Sequence, residues 1–352
     1  MRGATPRGFP GRSVDCQRSG GGFALVLVLL LLTLLIVVVY SFVYSTRVNL
    51  RLARNRVADL QMTQLVKAGL EAAKSILNSD KTGHDWLGDS WAKPVPPVTV
   101  QGAILRVLIT DEERKLNLNS LVVPRAKPPP SAEQISLARE LAAARIRSAV
   151  TALNLAFDED RFMSELIKWV GAKTETDVRQ KKAASNFHFI GRHFHAMDQL
   201  LEFEPVSPAI LYSERDPDAP RPGLVEVLTV LSSGKVNVNT APQEVLLALS
   251  EKMTRDMADE IIRHREEVEG LKDLSSLKDI PGLAEGVITE IEPQMTTRST
   301  VFLLKVQVER GQMRRVMQAF LQRPIAVVPA PMPGLIEGLG DIRLLRWEEL
   351  RR

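Results

Sequence analysis

The chain has 352 residues, 45% hydrophobic and 25% charged, with 46 Lys and Arg against 42 Asp and Glu and a formal net charge of +4. That composition excludes a disordered chain and leaves room for an anchor plus one or two domains with a real core. The single cysteine, Cys16, sits near the N-terminus, which excludes a disulfide framework or a cysteine-built metal centre in the body of the protein.

Residues Met1 to Gly22 carry Arg2, Arg7, Arg12 and Arg18 against Asp15 alone and end in Gly20-Gly21-Gly22. An apolar run opens at Phe23, and the Gly22-Phe23 step reads as a processing site. Loss of the leader would take the formal charge from +4 to +1, so charge alone gives no nucleic-acid footprint.

From Phe23 to Tyr40 there are about 18 residues without a charge, and Ser41 to Tyr44 extends them to bilayer-crossing length. A secretory signal would place its small residues after the apolar core, whereas here they precede it, so the helix is expected to be retained. Positive charge in the leader favours a cytoplasmic N-terminus with the bulk of the chain outside the cytoplasm. Arg47, Arg51, Arg54 and Arg56 on the far side weaken that charge argument, and a solvated face is their default reading. A plain uncleaved anchor is the competing reading of the whole N-terminal region.

After the apolar run no proline occurs before Pro94, and Leu52, Leu60, Leu65, Ala68, Ala72 and Ile76 recur at near-helical spacing. One helix from Phe23 to Leu77, on the order of 80 Å long, is expected, ending at Asn78-Ser79-Asp80 and Gly83. Val98 to Ile109 reads as strand. Thr300 to Glu309 and Gln312 to Leu321 read as a hairpin turned at Arg310-Gly311, with helix as the competitor for the second arm. A last strand is expected at Ile342 to Trp347.

Between these strand regions the pattern is helical. Pro128-Pro129-Pro130 stops the chain, and Ser131 with Gln134 forms a capping box for a helix through Leu153. Proline-rich connectors fall at Glu204 to Gly223 and Pro324 to Gly334. Lys115-Leu116-Asn117-Leu118-Asn119-Ser120 is echoed by Lys235-Val236-Asn237-Val238-Asn239-Thr240, which makes two related subunits plausible. In the second copy Thr240 and Gln243 offer a capping box with Pro242 in the first turn, so Asn117, Asn119, Asn237, Asn239 and Thr240 read as helix-initiating rather than catalytic.

His188, His193 and His195 lie among Phe187, Phe189 and Phe194; the pair of His193 and His195 could ligate zinc only with a third ligand, and aromatic packing before a helix at Met197 to Phe203 is the plainer reading. No H-E-x-x-H, G-x-S-x-G or Walker loop is present. Gly311, Gly334, Gly338 and Gly340 read as turn residues.

The Gly22-Phe23 junction, the long apolar helix, DEERKLNLNSL at Asp111 to Leu121, SSGKVNVNTAP at Ser232 to Pro242, ADEIIRHRE at Ala258 to Glu266 and LSSLKDIPGL at Leu274 to Leu283 together resemble the K-type minor pseudopilins of bacterial type II secretion, over nearly the whole chain and in the family's order. The resemblance implies an α+β fold, with a pilin-like long N-terminal transmembrane helix packed on an antiparallel sheet and a large, mostly helical insert of SAM-like or helix-hairpin-helix-like character. The expected divisions are a prepilin-type leader at 1–22, the membrane part of the helix at 23–44, a pilin-like part at 45–111, the insert at 112–298 in two related subunits, and C-terminal strands at 299–352.

It further implies cleavage after Gly22 by a prepilin peptidase and methylation of Phe23. Most pilin-like subunits carry a glutamate at the fifth mature position, facing a neighbour's N-terminal ammonium; here that position is Leu27, and the K-type family also lacks the glutamate, as befits a subunit at the filament tip. Implied partners are the I- and J-type minor pseudopilins, the major pseudopilin, the prepilin peptidase and the inner-membrane secretion platform. The implied setting is the inner membrane, single-pass, with the bulk in the periplasm. The implied role, not an enzymatic one, is to help start the pseudopilus that exports folded proteins.

Calcium, which the family often binds through acids following a Trp, needs several oxygen ligands. The matching stretch here is Lys168-Trp169-Val170-Gly171-Ala172-Lys173, with only Glu175 and Asp177 left, so the resemblance allows calcium but the acidic cluster is largely absent, no ligand is named and no firm cofactor is assigned.

The alternative is a membrane-anchored DNA receptor of the competence type. Val236 to Ala241, Ile261 to Arg265 and Leu277 to Gly282 resemble its helix-hairpin-helix pairs, which hold phosphate on glycine N–H groups. The turn Ser250 to Thr254 lacks glycine, and Glu285 stands beside Gly286, which opposes phosphate.

Overall fold

The computed structural model describes residues 21–122, 131–171, 193–212, 222–324 and 342–350. The chain divides into two compact units, Met1–Gln61 and Met62–Arg352. The leader arginines, Asp15, Cys16, Pro128 to Pro130, Glu175, Asp177, His188 and the glycines at 334, 338 and 340 lie outside the described residues.

One helix, α1, runs Gly21–Ser79. In the first unit every large apolar side chain from Phe23 to Tyr44 is exposed. So much exposed apolar surface on one helix demands lipid or other helices around it. Phe23–Ser79 is the one described helix long and apolar enough to cross a membrane.

In the second unit α1 contributes Met62, Val66, Leu70, Ala73 and Leu77 to a core shared with a five-stranded sheet. The buried stripe is thus set one residue away from the expected one: Leu65 and Ile76 sit at its margin, while Leu52, Leu60, Ala68 and Ala72 are exposed. The reason is close approach. A Cβ at Gly69 would lie 2.8 Å from Val306 Cγ1, so it is the face bearing Gly69 that meets the sheet.

The sheet strands are β1 Val98–Val100, β2 Ala103–Asp111, β7 Val301–Arg310, β8 Met313–Gln322 and β9 Arg343–Leu350, antiparallel throughout and ordered β1-β2-β7-β8-β9. The stretch expected as one strand at Val98 to Ile109 is a hairpin, because Gln101 and Gly102 both adopt positive φ, 50° and 76°, and turn the chain back. The second hairpin pairs Arg310 with Met313 around Gly311 at φ 58°, which settles Gln312 to Leu321 as strand rather than helix. Phe302, Leu304, Val306 and Val308 alternate inward on β7, against Met317, Ala319 and Leu321 on β8 and Val107 and Ile109 on β2.

The chain leaves the sheet at Asp111 and returns at Val301 on the neighbouring strand. Between them stands a second apolar core. It contains α2 Ala132–Ala152, whose Ser131 and Gln134 make the expected reciprocal capping box, and α3 Glu159–Gly171, which buries Phe162, Leu166 and Trp169. Further along come the short helices α4 Pro208–Leu211 and α5 Gln243–Leu247, then α6 Arg255–Glu267 and α7 Glu285–Ile291. Two-residue parallel bridges join β3 Leu116–Asn117 to β4 Leu228–Thr229, and β5 Val236–Asn237 to β6 Met295–Thr296. The stretch expected as a helix at Met197 to Phe203 is a 3₁₀ turn over Met197–Glu202.

Candidate processing helix and buried polar junction

On α1, Phe23 is 78% exposed and Leu27 48% exposed, and no Asp or Glu occurs anywhere from Gly21 to Ala58. The position where a pilin-like helix would present a carboxylate is apolar.

The two asparagine repeats fold alike. Asn117 Oδ1 accepts from the Asn119 amide at 2.9 Å, and Asn237 Oδ1 accepts from the Asn239 amide at 2.9 Å. The second asparagine of each pair then clasps both backbone groups of a distant residue, and Asn119 donates to Val230 O at 2.9 Å as well. Asn119 accepts from Phe194 N at 2.7 Å and donates to Phe194 O at 2.9 Å; Asn239 accepts from Leu271 N at 2.8 Å and donates to Leu271 O at 2.9 Å. An asparagine amide offers one donor and one acceptor side by side, which matches the two groups of a single extended residue. These side chains therefore fasten loops as well as shaping the local turn.

Thr240 departs from its expected role. Helix α5 starts at Gln243 with Pro242 as its N-cap and no side-chain cap. The Thr240 hydroxyl instead donates to Asp111 Oδ2, and Gln243 bonds Asp259, so no capping box forms. Thr240 lies two residues before the N-cap, and its hydroxyl is turned to the buried carboxylate rather than to the first turn of the helix.

That carboxylate belongs to a network at the foot of the insert. Asp111 Oδ2 also accepts from Ser299 Oγ at 2.6 Å and Asn237 Nδ2 at 3.2 Å, while its Oδ1 accepts from the Glu113 amide. Asp85, in the loop after α1, accepts from the Ser299 amide at 2.8 Å and is held by Arg323 through both carboxylate oxygens, at 2.8 and 3.0 Å. Arg323 also reaches Asp80 at 3.1 Å and lies 4.9 Å over the Phe302 ring, which in turn meets Trp91 edge-on. Glu112 pairs with Lys115 at 2.7 Å, both buried, and Glu113 accepts from the Thr300 amide at 3.1 Å. The exit of the insert, Asp111 to Glu113, is thereby bonded to its return, Ser299 to Val301.

Burial pushes the Asp85 carboxyl up to about 6 despite the opposing Arg323 charge, and burial likewise pushes Asp111 up to about 6 against the hydroxyls of Ser299 and Thr240. Glu113 is raised by burial as well. Arg265, of the ADEIIRHRE motif, is buried and donates to Val238 O at 2.8 Å and Ala241 O at 2.7 Å; burial, with the nearby Arg114 charge, lowers it to about 10.

Asp80, Asp85 and Asp89 are the described acids close enough to share an ion. Arg323 already supplies the cation between the first two, and Asp89 accepts from Trp86 N and Trp91 Nε1. Trp169 stacks on Phe194 at 5.2 Å, with Phe203 and Phe162 adjoining, so it is a core aromatic. His193 and His195 are exposed on either side of buried Phe194, in keeping with the packing reading of that segment. Sequence reasoning did not find Asp80, Asp85, Ser299 or Arg323; the acids of the DEERK motif were its only signal.

Residues 236–297 match the family model described as type II secretion system (T2SS), protein K. The Type II secretion system protein K of Pseudomonas aeruginosa strain PAO1 is 24% identical over 319 residues, covering 87% of this chain and 90% of that protein. Among solved structures, a chain from the crystal structure of the GspK-GspI-GspJ complex of the enterotoxigenic Escherichia coli Type 2 Secretion System matches with a TM-score of 0.59 at 14% identity, covering 84% of this chain and all of that one. The matched fold is pilin-like α+β, with a long N-terminal apolar helix, an antiparallel sheet and helical regions. The matches do not favour the DNA-receptor alternative. In its motifs, along most of its length and in its fold, this chain resembles the K-type minor pseudopilins of type II secretion.

Proposed function

We propose that the protein is a minor pseudopilin of the type II secretion system, cut after Gly22, anchored in the inner membrane by residues 23–44 and carrying its bulk in the periplasm. It sits at the tip of the pseudopilus with I- and J-type minor pseudopilins and helps start the assembly that exports folded proteins; its role is structural rather than catalytic. The insert, 112–298, is the part displayed at the tip.

The observation that carries this reading is α1 itself. Its N-terminal part is exposed, apolar and free of acids, while its C-terminal part, from Met62, is the backing of an antiparallel sheet. A subunit whose fifth mature residue is Leu27 offers no carboxylate to a neighbour's N-terminal ammonium, which suits an end position. A carboxylate buried there without such a partner would be costly.

The test is intact-mass and N-terminal peptide analysis of the membrane-extracted chain, co-expressed with a prepilin peptidase and compared with Gly22→Ala. Methylated Phe23 in the first and an uncut chain in the second are expected. An intact Met1 leader in both would overturn the proposal. Co-purification with I- and J-type subunits, and loss of secretion on deletion, test the assembly role.

A further inference from the structure

Four arginines, Arg47, Arg51, Arg54 and Arg56, follow the apolar run, and all four are exposed. No acid lies between Gly21 and Ala58, and none of the four has an ion-pair partner among the described residues. Four like charges on one short stretch need counter-charge from outside it.

Their placement is not uniform around the helix. At about 100° per residue, Tyr40, Tyr44, Arg47, Arg51 and Arg54 follow one another at spacings of four, three, four and three and fall within an arc of roughly 80°. Arg56 points to the opposite side. Tyr40 is 72% exposed and Tyr44 63% exposed, and both close the charge-free run. Tyrosine favours the boundary between hydrocarbon and headgroup, so the stripe begins where the bilayer ends.

Direction matters as well. Cα–Cβ bonds lean toward a helix N-terminus, and here the N-terminus is the membrane end. Arg47 stands about 5 Å and Arg51 about 10 Å beyond Tyr44 along the axis, and both lean back toward the headgroup layer. A tilt of roughly 20° toward this face brings Arg54 down as well. A second copy of this helix would oppose it with the same positive stripe.

We propose that Tyr40, Tyr44, Arg47, Arg51 and Arg54 form a one-sided binding stripe for the phosphate headgroups of anionic phospholipid where α1 leaves the membrane. The stripe sets the rotation and tilt of the helix before it joins other subunits. This rests on the membrane-spanning reading above.

The test uses the full-length chain in neutral detergent, titrated with phosphatidylglycerol or phosphatidylcholine and followed by native mass spectrometry. Roughly fivefold per arginine is expected, so on the order of a hundredfold preference for phosphatidylglycerol when all three engage. Arg47→Gln/Arg51→Gln/Arg54→Gln should abolish the preference, while Arg56→Gln should keep most of it, and inorganic phosphate should not compete. Equal retention of the two lipids, an unchanged preference in the triple variant, an equal loss in Arg56→Gln, or displacement by inorganic phosphate would each overturn the proposal. So would a triple variant that keeps its lipid preference but loses a protein partner. The membrane reading is checked apart from this by resistance of the chain to alkaline extraction: a chain that washes off the membrane fails that reading, whereas one that stays but shows no lipid preference fails only the stripe.

Discussion

Arg323 holds both carboxylate oxygens of Asp85, at 2.8 and 3.0 Å, across 238 positions of sequence. The pair is buried and joins the end of β8 to the loop that follows α1. Removing the cation leaves a buried carboxylate with little to offset its desolvation. Arg323→Met should lower stability by about 3–5 kcal/mol. Asp85→Leu combined with it should recover part of that loss. Urea unfolding of the two single variants and the double variant in detergent measures the coupling, and strictly additive losses would show that the pair does not act as a unit.

The pH dependence has a definite sign. Asp85 and Asp111 sit near 6 in the folded chain and near 3.8 when unfolded. Between those values the folded state binds protons that the unfolded state has released, so stability falls as pH rises through about 4 to 6. The two groups together are worth on the order of a few kcal/mol. Urea midpoints should therefore rise from pH 7 down to pH 5, and the rise should shrink in Asp111→Asn. A flat profile over that range would contradict the burial described here.

The asparagine clasps predict matched losses. Asn239→Ala strands the N–H and C=O of Leu271, and Asn119→Ala strands those of Phe194 and takes a donor from Val230 O. Each variant should lose about 2–4 kcal/mol, chiefly from the N–H and C=O of the clasped residue left unpaired. Similar midpoint shifts from positions so far apart are expected by denaturant unfolding; a negligible effect at either one would show that water or a rearranged loop replaces the clasp.

Gly69 predicts a rescue. A Cβ there meets Val306 Cγ1 at 2.8 Å, and valine has no flexible end to move aside. Gly69→Ala should cost about 1–3 kcal/mol despite alanine's better helix propensity. Val306→Ala in the same chain should make the alanine at 69 less harmful, read from thermal midpoints. If Gly69→Ala stabilises the chain by itself, helix and sheet are less closely apposed than described.

What could be read in advance was local. The long helix follows from an uninterrupted apolar run, the Ser131–Gln134 box from residues three apart, and the Gly311 hairpin from a glycine between two alternating segments. The Gln101–Gly102 turn was local too, but its flanking residues are apolar enough to hide it inside one strand. The junction could not be read, because Asp85, Asp111, Asn237, Ser299 and Arg323 have no common spacing and meet only after the sheet has formed. Thr240 shows the conflict most plainly: its sequence neighbours promise a cap, and a carboxylate 129 positions away takes the hydroxyl.

Asp111 and Val301 bracket everything between β2 and β7, and those strands are hydrogen-bonded neighbours that a two-residue turn could have joined. An excursion that begins and ends at the same end of two neighbouring inner strands demands nothing of the strands beyond them. The stretch between β2 and β7 can therefore lengthen, shrink or change its surface while the sheet keeps its register, provided the Asp111–Ser299 clamp at its base is retained. Diversity among chains of this fold should accordingly gather between β2 and β7, and sequence drift at Asp111 and Ser299 should be punished first.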